Sequence, residues 1–202
     1  MLNVNDLDCE RGGRTLFSGL SFAVSPGEAL RIAGANGSGK TSLLRILCGL
    51  LPPSGGEIRW HGAPILDLRE EYSTRLVYLG HAPAVKDDLT AAENLSISCA
   101  LAGIPTNEEA VREALARFGL SAKEQPVRRL SQGQRRRAAL ARLALSEARP
   151  LWLLDEPFSA LDAEGVSILV TFIKDHAARG GALVFTTHQD PGIAAAQVID
   201  LD

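Results

Sequence analysis

Eight residues constrain this chain more than any others: Gly34-Ala35-Asn36-Gly37-Ser38-Gly39-Lys40-Thr41. They match G-x-x-x-x-G-K-T at every fixed position and lie between two runs of different period. Glu28 to Ala33 reads as a strand, with the turn Pro26-Gly27 before it. Lys40 to Leu51 carries Leu43, Leu44, Ile46, Leu47, Leu50 and Leu51 on one face and reads as a helix. A strand feeding such a loop, and the loop feeding a helix, is the setting that gives the pattern its meaning. Glycines let the backbone curl so that successive amides point inward at an anion. The helix start adds the positive end of its dipole. Lys40 can then reach the β and γ phosphates of a nucleotide, and Thr41 can offer a hydroxyl to Mg²⁺. A plain glycine-rich turn has no need of the full pattern between these two flanks.

A second segment completes the chemistry. Leu151 to Leu154 is wholly apolar, which suits a buried central strand. Asp155 stands at its carboxyl end, where open α/β sheets bind ligands, and can bind Mg²⁺ through water. Glu156 follows, and Pro157 blocks continuation of the strand. A glutamate beside the metal carboxylate is placed to orient and deprotonate an attacking water. Alone, Asp155-Glu156 reads as a solvated strand end. Beside a phosphate loop it reads as catalytic.

The rest of the chain arranges itself around these segments. Leu2 to Asp8 and Leu20 to Ser25 are strand-like, with Gly12-Gly13 turning the chain between them. Glu57 to Trp60 and Leu76 to Leu79 are further strands. From about 88 to 147 the pattern becomes helical. Thr90-Ala91-Ala92-Glu93 has the form of a capping box, and its helix is expected to end at Gly103. Thr106-Asn107-Glu108-Glu109 repeats the signal for a helix ending near Gly119. Ser131-Gln132-Gly133-Gln134 opens a third helix, expected to run to about Glu147. After Pro150 strands and helices alternate again: Leu151 to Leu154, a helix from about Ala163 to Arg179, Ala182 to Thr187, and a last strand near Val198 to Leu201. This predicts one α/β domain over 1–202, with a mainly parallel sheet, antiparallel strands at the N-terminal side and a helical insertion.

Bulk properties narrow the setting. The 202 residues are 46% hydrophobic and 22% charged, ordinary for one globular domain. A net charge of −3 gives no general attraction to nucleic acid or anionic lipid. No apolar run approaches the roughly 18 residues of a membrane span. The start, Met1-Leu2-Asn3-Val4-Asn5-Asp6, lacks the form of a signal peptide, so a cytosolic chain that meets a membrane only through partners is expected. Cys9, Cys48 and Cys99 are odd in number and far apart, which suits reduced thiols better than a disulfide or zinc frame.

Leu130-Ser131-Gln132-Gly133-Gln134 separates this chain from other phosphate-loop proteins. Here it resembles the ATP-binding-cassette family, whose signature is L-S-G-G-Q, and other family elements follow in order along nearly the whole chain. The resemblance implies a P-loop cassette fold that binds ATP through Gly34 to Thr41 and Ser42, with Mg²⁺ held by Thr41 and Asp155. It implies that Glu156 and His188 act in hydrolysis, His188 as the switch histidine. Ser159-Ala160-Leu161-Asp162 corresponds to the loop linking two sites across a dimer. The signature would face the γ-phosphate of an opposite subunit, so one cassette per chain implies a homodimer or a separate second cassette. Physical chemistry agrees: a Ser131 N-cap followed by the small Gly133 leaves free amides at a helix start.

Three positions depart from the family pattern. Gln132 replaces the third signature residue. Arg11 stands where an aromatic side chain stacks on adenine, and a guanidinium plane can also stack on a base. His81 stands at the glutamine-loop position, where it can bind water or metal. Leu16 to Phe22, Tyr78-Leu79-Gly80-His81, the arginines after Gln134, and Thr186-Thr187-His188-Gln189 together resemble one subfamily. Its members are the ATP-binding subunits of the haem-export transporter of bacterial cytochrome c maturation. That implies a peripheral protein on the cytoplasmic face of the inner membrane, bound to integral-membrane partners of the haem pathway. Its ATP hydrolysis would release haem-loaded chaperone. The alternatives are a cassette of a transporter for another substrate, a soluble cassette ATPase acting on DNA or ribosomes, and a nucleotide-sensing scaffold without turnover. Arg135-Arg136-Arg137 by themselves read as a solvated helix face.

Overall fold

The structure, a computed structural model, describes residues 1–121, 125–188 and 192–202. Two sheets organise them. Strands β1 (Leu2–Arg11), β2 (Arg14–Val24), β4 (Gly55–Trp60) and β5 (Ala63–Pro64) form an antiparallel sheet in the order β2-β1-β4-β5. Strands β3 (Ala29–Ala33), β6 (Leu76–Leu79), β7 (Leu151–Leu154), β8 (Ala182–Thr186) and β9 (Gln197–Asp200) form a wholly parallel sheet in the order β6-β7-β8-β3-β9. This is the P-loop cassette fold anticipated above.

The first hairpin shows why the antiparallel strands outrun their sequence limits. Arg11 pairs with Arg14 across Gly12-Gly13, whose φ values are 56° and 73°. Two successive positive φ angles make the primed turn whose twist matches the strands, and glycine adopts them without a Cβ clash. The ladder therefore continues to the turn through polar residues that carry no apolar alternation.

The parallel sheet is the core. Strand β7 is buried along its full length, and its side chains alternate between two hydrophobic clusters. Leu151 and Leu153 join Leu43, Leu44, Ile46 and Leu47 of helix α1 (Lys40–Leu47), under the antiparallel sheet. Trp152 and Leu154 join Leu169, Phe172 and Ile173 of a helix over Ala163–Ala178. Full burial of each such side chain contributes about 1.5–3 kcal/mol. Trp152 stacks on His176 with ring centroids 3.8 Å apart, and burial pushes the His176 pKa down to about 4. The neutral imidazole donates through Nε2 to Ala182 O at 3.2 Å.

The remaining helices are α2 (Ile65–Arg75), α3 (Ala91–Leu101), α4 (Glu108–Arg117) and α5 (Gln132–Leu140), the Ala163–Ala178 helix being α6. Helices α3 to α5 lie between β6 and β7 in the chain; residues 122–124 of that stretch fall outside the described residues. Capping boxes close the starts of α3 at Thr90 and α5 at Ser131, and Asn107 rather than Thr106 caps α4.

Three helices also differ from the sequence expectation. Helix α1 stops at Leu47, because Gly49 N donates to Ile46 O and Leu50 N to Arg45 O, a Schellman closure. Leu50 is left 68% exposed, off the helix face to which periodicity assigned it. Helix α2 has no counterpart in the sequence reading, for its pattern buries only Ile65 and Tyr72 and it breaks at Arg69, φ 30°. Tyr72 Oη donates to Leu47 O at 2.7 Å and so fastens α2 to the end of α1. Helix α5 does not reach Glu147; from Ala141 to Leu145 the chain tightens to 3₁₀ winding. Ala141 and Leu143 stay fully buried through that winding.

Candidate nucleotide-binding site

Strand β8 comes late in the chain yet lies between β7 and β3. That order gathers three carboxyl ends: Gly34 onward after β3, Asp155-Glu156 after β7, and Thr186 to His188 at β8. A cleft of about 520 Å³ opens over them. Asn36, Gly37, Gly39, Lys40, Thr41 and Ser42 line one side; His81, Asp155, Glu156, Ser159 and His188 line the other, and Leu16 closes an edge.

The loop side is built from backbone. Helix α1 begins after Gly39, φ 107°, with no side-chain cap and no acidic residue in its first turn. Its first amides are therefore available to an external anion. Lys40 is 8% exposed, and its ammonium donates to Gly34 O at 2.7 Å and Ala35 O at 2.8 Å. Gly34 and Ala35 themselves stand behind this contact rather than on the cleft wall, and Ala35 N donates to Asp202 Oδ1 at 2.6 Å. Ser38 Oγ is buried without a hydrogen-bond partner.

The opposite side is built from a relay of side chains. Asp155 is 1% exposed; Thr41 Oγ1 donates to its Oδ2 and Thr186 Oγ1 to its Oδ1, each at 2.8 Å. Glu156 N donates to the same Thr186 Oγ1 at 2.8 Å. One hydrogen-bonded chain thus joins α1, β7 and β8. Thr186 was not among the residues singled out from sequence for the site; a threonine ending an otherwise apolar strand is the signal it carried. Glu156 has φ 46°, a left-handed backbone uncommon for a residue with a side chain. Its Oε1 is buried, 3.3 Å from His188 Nε2, and makes no aligned hydrogen bond. A carboxylate on the cleft wall beside an imidazole is placed to orient an attacking water.

Other expected site residues stand apart from the cleft. Arg11 is exposed at the end of β1 and does not line it. Leu130 to Gln134 also lie outside it and form the start of α5. Ser131 Oγ accepts from Gln134 N at 3.2 Å, and Ser131 N donates to Gln134 Oε1 at 3.0 Å. Gly133 has a structural duty of its own. A Cβ there would meet Ala160 O at 2.9 Å, so this helix start abuts the Ser159–Asp162 loop of the same chain.

The arginine run corrects the sequence reading outright. Arg136 and Arg137 are 3% and 8% exposed, not solvated. Arg137 pairs with Asp162 and with Glu164. Its guanidinium holds the Asp162 carboxyl below the usual range, and Asp162 in turn caps α6 by accepting from Gly165 N at 3.0 Å. Burial lowers the Arg136 pKa, yet the group meets a full set of carbonyl acceptors.

A glycine-rich loop opening a helix at a parallel strand's end, with Thr41 and Asp155 in contact across it, defines a P-loop nucleotide-binding protein. The family of ABC transporters matches residues 17–159, and the chain belongs to it as an ATPase cassette. The chain is 56% identical over 203 residues to the cytochrome c biogenesis ATP-binding export protein CcmA of Aromatoleum aromaticum, covering 100% of this chain and 95% of the relative. It is 51% identical over 191 residues to the protein of that name from Nitrosomonas europaea, covering 94% and 89%. A bacterial ABC transporter cassette solved as a dimer superposes with a TM-score of 0.84 at 23% identity, covering 100% of this chain and 95% of that one.

Proposed function

We propose that this chain is the ATP-hydrolysing subunit of the bacterial haem exporter of cytochrome c maturation, where its turnover releases haem-loaded chaperone. The observation that carries this reading is the full-length 56% identity to a cytochrome c biogenesis export protein. Lys40 and the amides of Asn36 to Thr41 hold the phosphates, with Ser42 beside them. Glu156 deprotonates the attacking water, and His188 contacts the γ-phosphate from the far wall. Arg11, exposed at the end of β1 and outside the cleft wall, is the residue assigned to stack on the base.

The donor set suits Mg²⁺. Thr41 Oγ1 and Asp155 Oδ2 are 2.8 Å apart and share an open wall. No group of three metal-ligating side chains occurs among the described residues. Mg²⁺ characteristically takes one or two protein oxygens and completes its shell with water and phosphate, so this pair is enough. Bound there, with His81 at the edge of its shell, the ion would neutralise phosphate charge.

Two such chains, or this chain and a second cassette, close around nucleotide with Leu130 to Gln134 facing the partner's γ-phosphate. The Ser159-Ala160-Leu161-Asp162 loop joins the two sites. We read the described residues of the stretch from about 88 to 147 as a helical unit inserted in a single domain over 1–202. Among the described residues no helix is long and apolar enough to cross a membrane. We place the protein at the cytoplasmic face of the inner membrane, peripherally, held by integral-membrane subunits of the haem pathway and with no role for nucleic acid. Cells lacking this chain should lose covalently haem-stained c-type cytochromes. The wild-type chain should restore them and Lys40→Ala should not. Restoration by Lys40→Ala, or normal cytochromes without the chain, would refute the reading.

A further inference from the structure

Arg136 lies on the second turn of α5 and is 3% exposed. A guanidinium has five N–H donors in a planar fork. Each one here meets a backbone carbonyl. Nε donates to Pro157 O at 3.3 Å, and Nη1 to Gly80 O and His81 O at 3.0 Å each. Nη2 donates to Asp155 O at 2.9 Å and Glu156 O at 2.7 Å. These carbonyls belong to the chain just past β6 and β7, where the sheet no longer pairs them. Lysine could serve three of them at most, glutamine two.

Three of the gripped residues, His81, Asp155 and Glu156, line the nucleotide cleft. Glu156 holds a left-handed backbone, which is strained for a residue with a side chain and persists only where the surroundings over-determine it. Its amide donates to Thr186 and its carbonyl accepts from Arg136, so it is clamped on both sides. Ser131 and Gly133 precede Arg136 at the start of the same helix. A displacement of that start therefore moves the guanidinium with it.

We propose that Arg136 is a positioning residue that couples the start of α5 to the aim of Glu156 and the setting of His81. The inference rests on the reading of Glu156 as the base. It makes hydrolysis responsive to what occupies Ser131 to Gly133. Arg136 donates no hydrogen bond to the phosphate loop, and the Asp155 carboxylate is held separately by Thr41 and Thr186, so ATP affinity should change far less than hydrolysis.

The test compares the full wild-type chain with Arg136→Lys, which keeps the charge and supplies three donors for five acceptors. Turnover is expressed per ATP-binding site, titrated with labelled ATP. The expected result is a kcat about 10–100-fold lower with ATP affinity within about twofold of wild type, since small misplacement of a catalytic group has effects of that size. Equal kcat per binding site would leave Arg136 a purely structural residue and overturn the proposal. Hydrogen exchange on the wild-type chain gives a second answer that needs no variant to fold. Segments 80–82 and 155–158 should gain protection together with 131–137 when ATP is added. Protection of 131–137 alone would overturn the coupling. A Glu156→Gln chain that turned over at the wild-type rate would instead overturn the reading of Glu156 as base, which separates the two failures.

Discussion

Helices α1 and α5 both begin at surfaces assigned to phosphate, and they begin differently. The first turn of α1 is preceded by a bare glycine, Gly39, with no side-chain cap. The first turn of α5 has both halves of a capping box, Ser131 with Gln134. The amides of α1 therefore wait for a ligand, and Lys40 waits with them. At α5 two amides are already satisfied within the chain, leaving those of Gln132 and Gly133. The first start is a complete anion site by itself. The second gains its function from what it is tied to: Ala160 O against Gly133, Asp162 against Arg137, and the carbonyls around Arg136. On the proposed reading, one region grips and the other registers that a grip has formed.

That contrast is broken or sharpened most strongly at Glu156, which faces the grip and is fixed by the other region. Glu156→Gln removes the base but leaves every phosphate contact. We expect kcat to fall by about 10²–10⁴-fold. Nucleotide binding should remain, and an ATP-bound dimer should accumulate, read by phosphate release and by size-exclusion chromatography with light scattering. Turnover near the wild-type level would remove Glu156 from the mechanism.

The next effect belongs to the grip alone. Lys40→Ala deletes a nearly buried cation that now rests on Gly34 O and Ala35 O. Loss of one partner of such a charge-assisted contact costs on the order of 2–5 kcal/mol, so ATP affinity should fall by about 10²-fold or more. Titration with labelled ATP measures this directly. Retained affinity would mean that α1's amides suffice without the ammonium.

The same contrast explains what sequence could reveal. The β3–loop–α1 unit was legible because its requirements are local: positive φ at fixed spacing, a strand before and a helix after. Asp155 and Glu156 were legible because they end a short apolar run. The burial of Arg136 and Arg137 was not, since it depends on carbonyls that β6 and β7 present only after the sheet has formed. Nothing within a few residues of Arg136 distinguishes it from a solvated cation such as the exposed Arg128. Thr186 was hidden for the same reason, its hydroxyl acquiring meaning only when β8 inserts between β7 and β3. Helix α2 escaped because it buries too little apolar surface to imprint a period.

A smaller effect separates the two helix starts as structures rather than sites. Ser131→Ala removes a cap that α1 never had. The loss should be about 1 kcal/mol, seen as a lower urea midpoint with unchanged slope. Nucleotide affinity of the isolated chain should not change, because the residue lies outside the cleft. A loss of affinity in the isolated chain would place this helix start within the chain's own site and erase the contrast.

The smallest effect concerns the base rather than the phosphates. Arg11 is exposed at the β1–β2 turn, whereas Leu16 lines the cleft edge. An exposed cation over an aromatic plane is worth about 0.5–1 kcal/mol. Arg11→Ala should therefore weaken ATP by only about two- to fivefold. A guanidinium stacks on any purine face, so GTP should weaken in parallel and the ratio between them should hold. Competition of GTP against labelled ATP, in wild type and variant, measures both quantities. A selective loss of ATP would show that Arg11 reads the base edge. Unchanged affinity in Arg11→Ala, with a loss in Leu16→Ala, would move the base contact to Leu16. The grip on nucleotide would then come wholly from elements that line the cleft in a single chain.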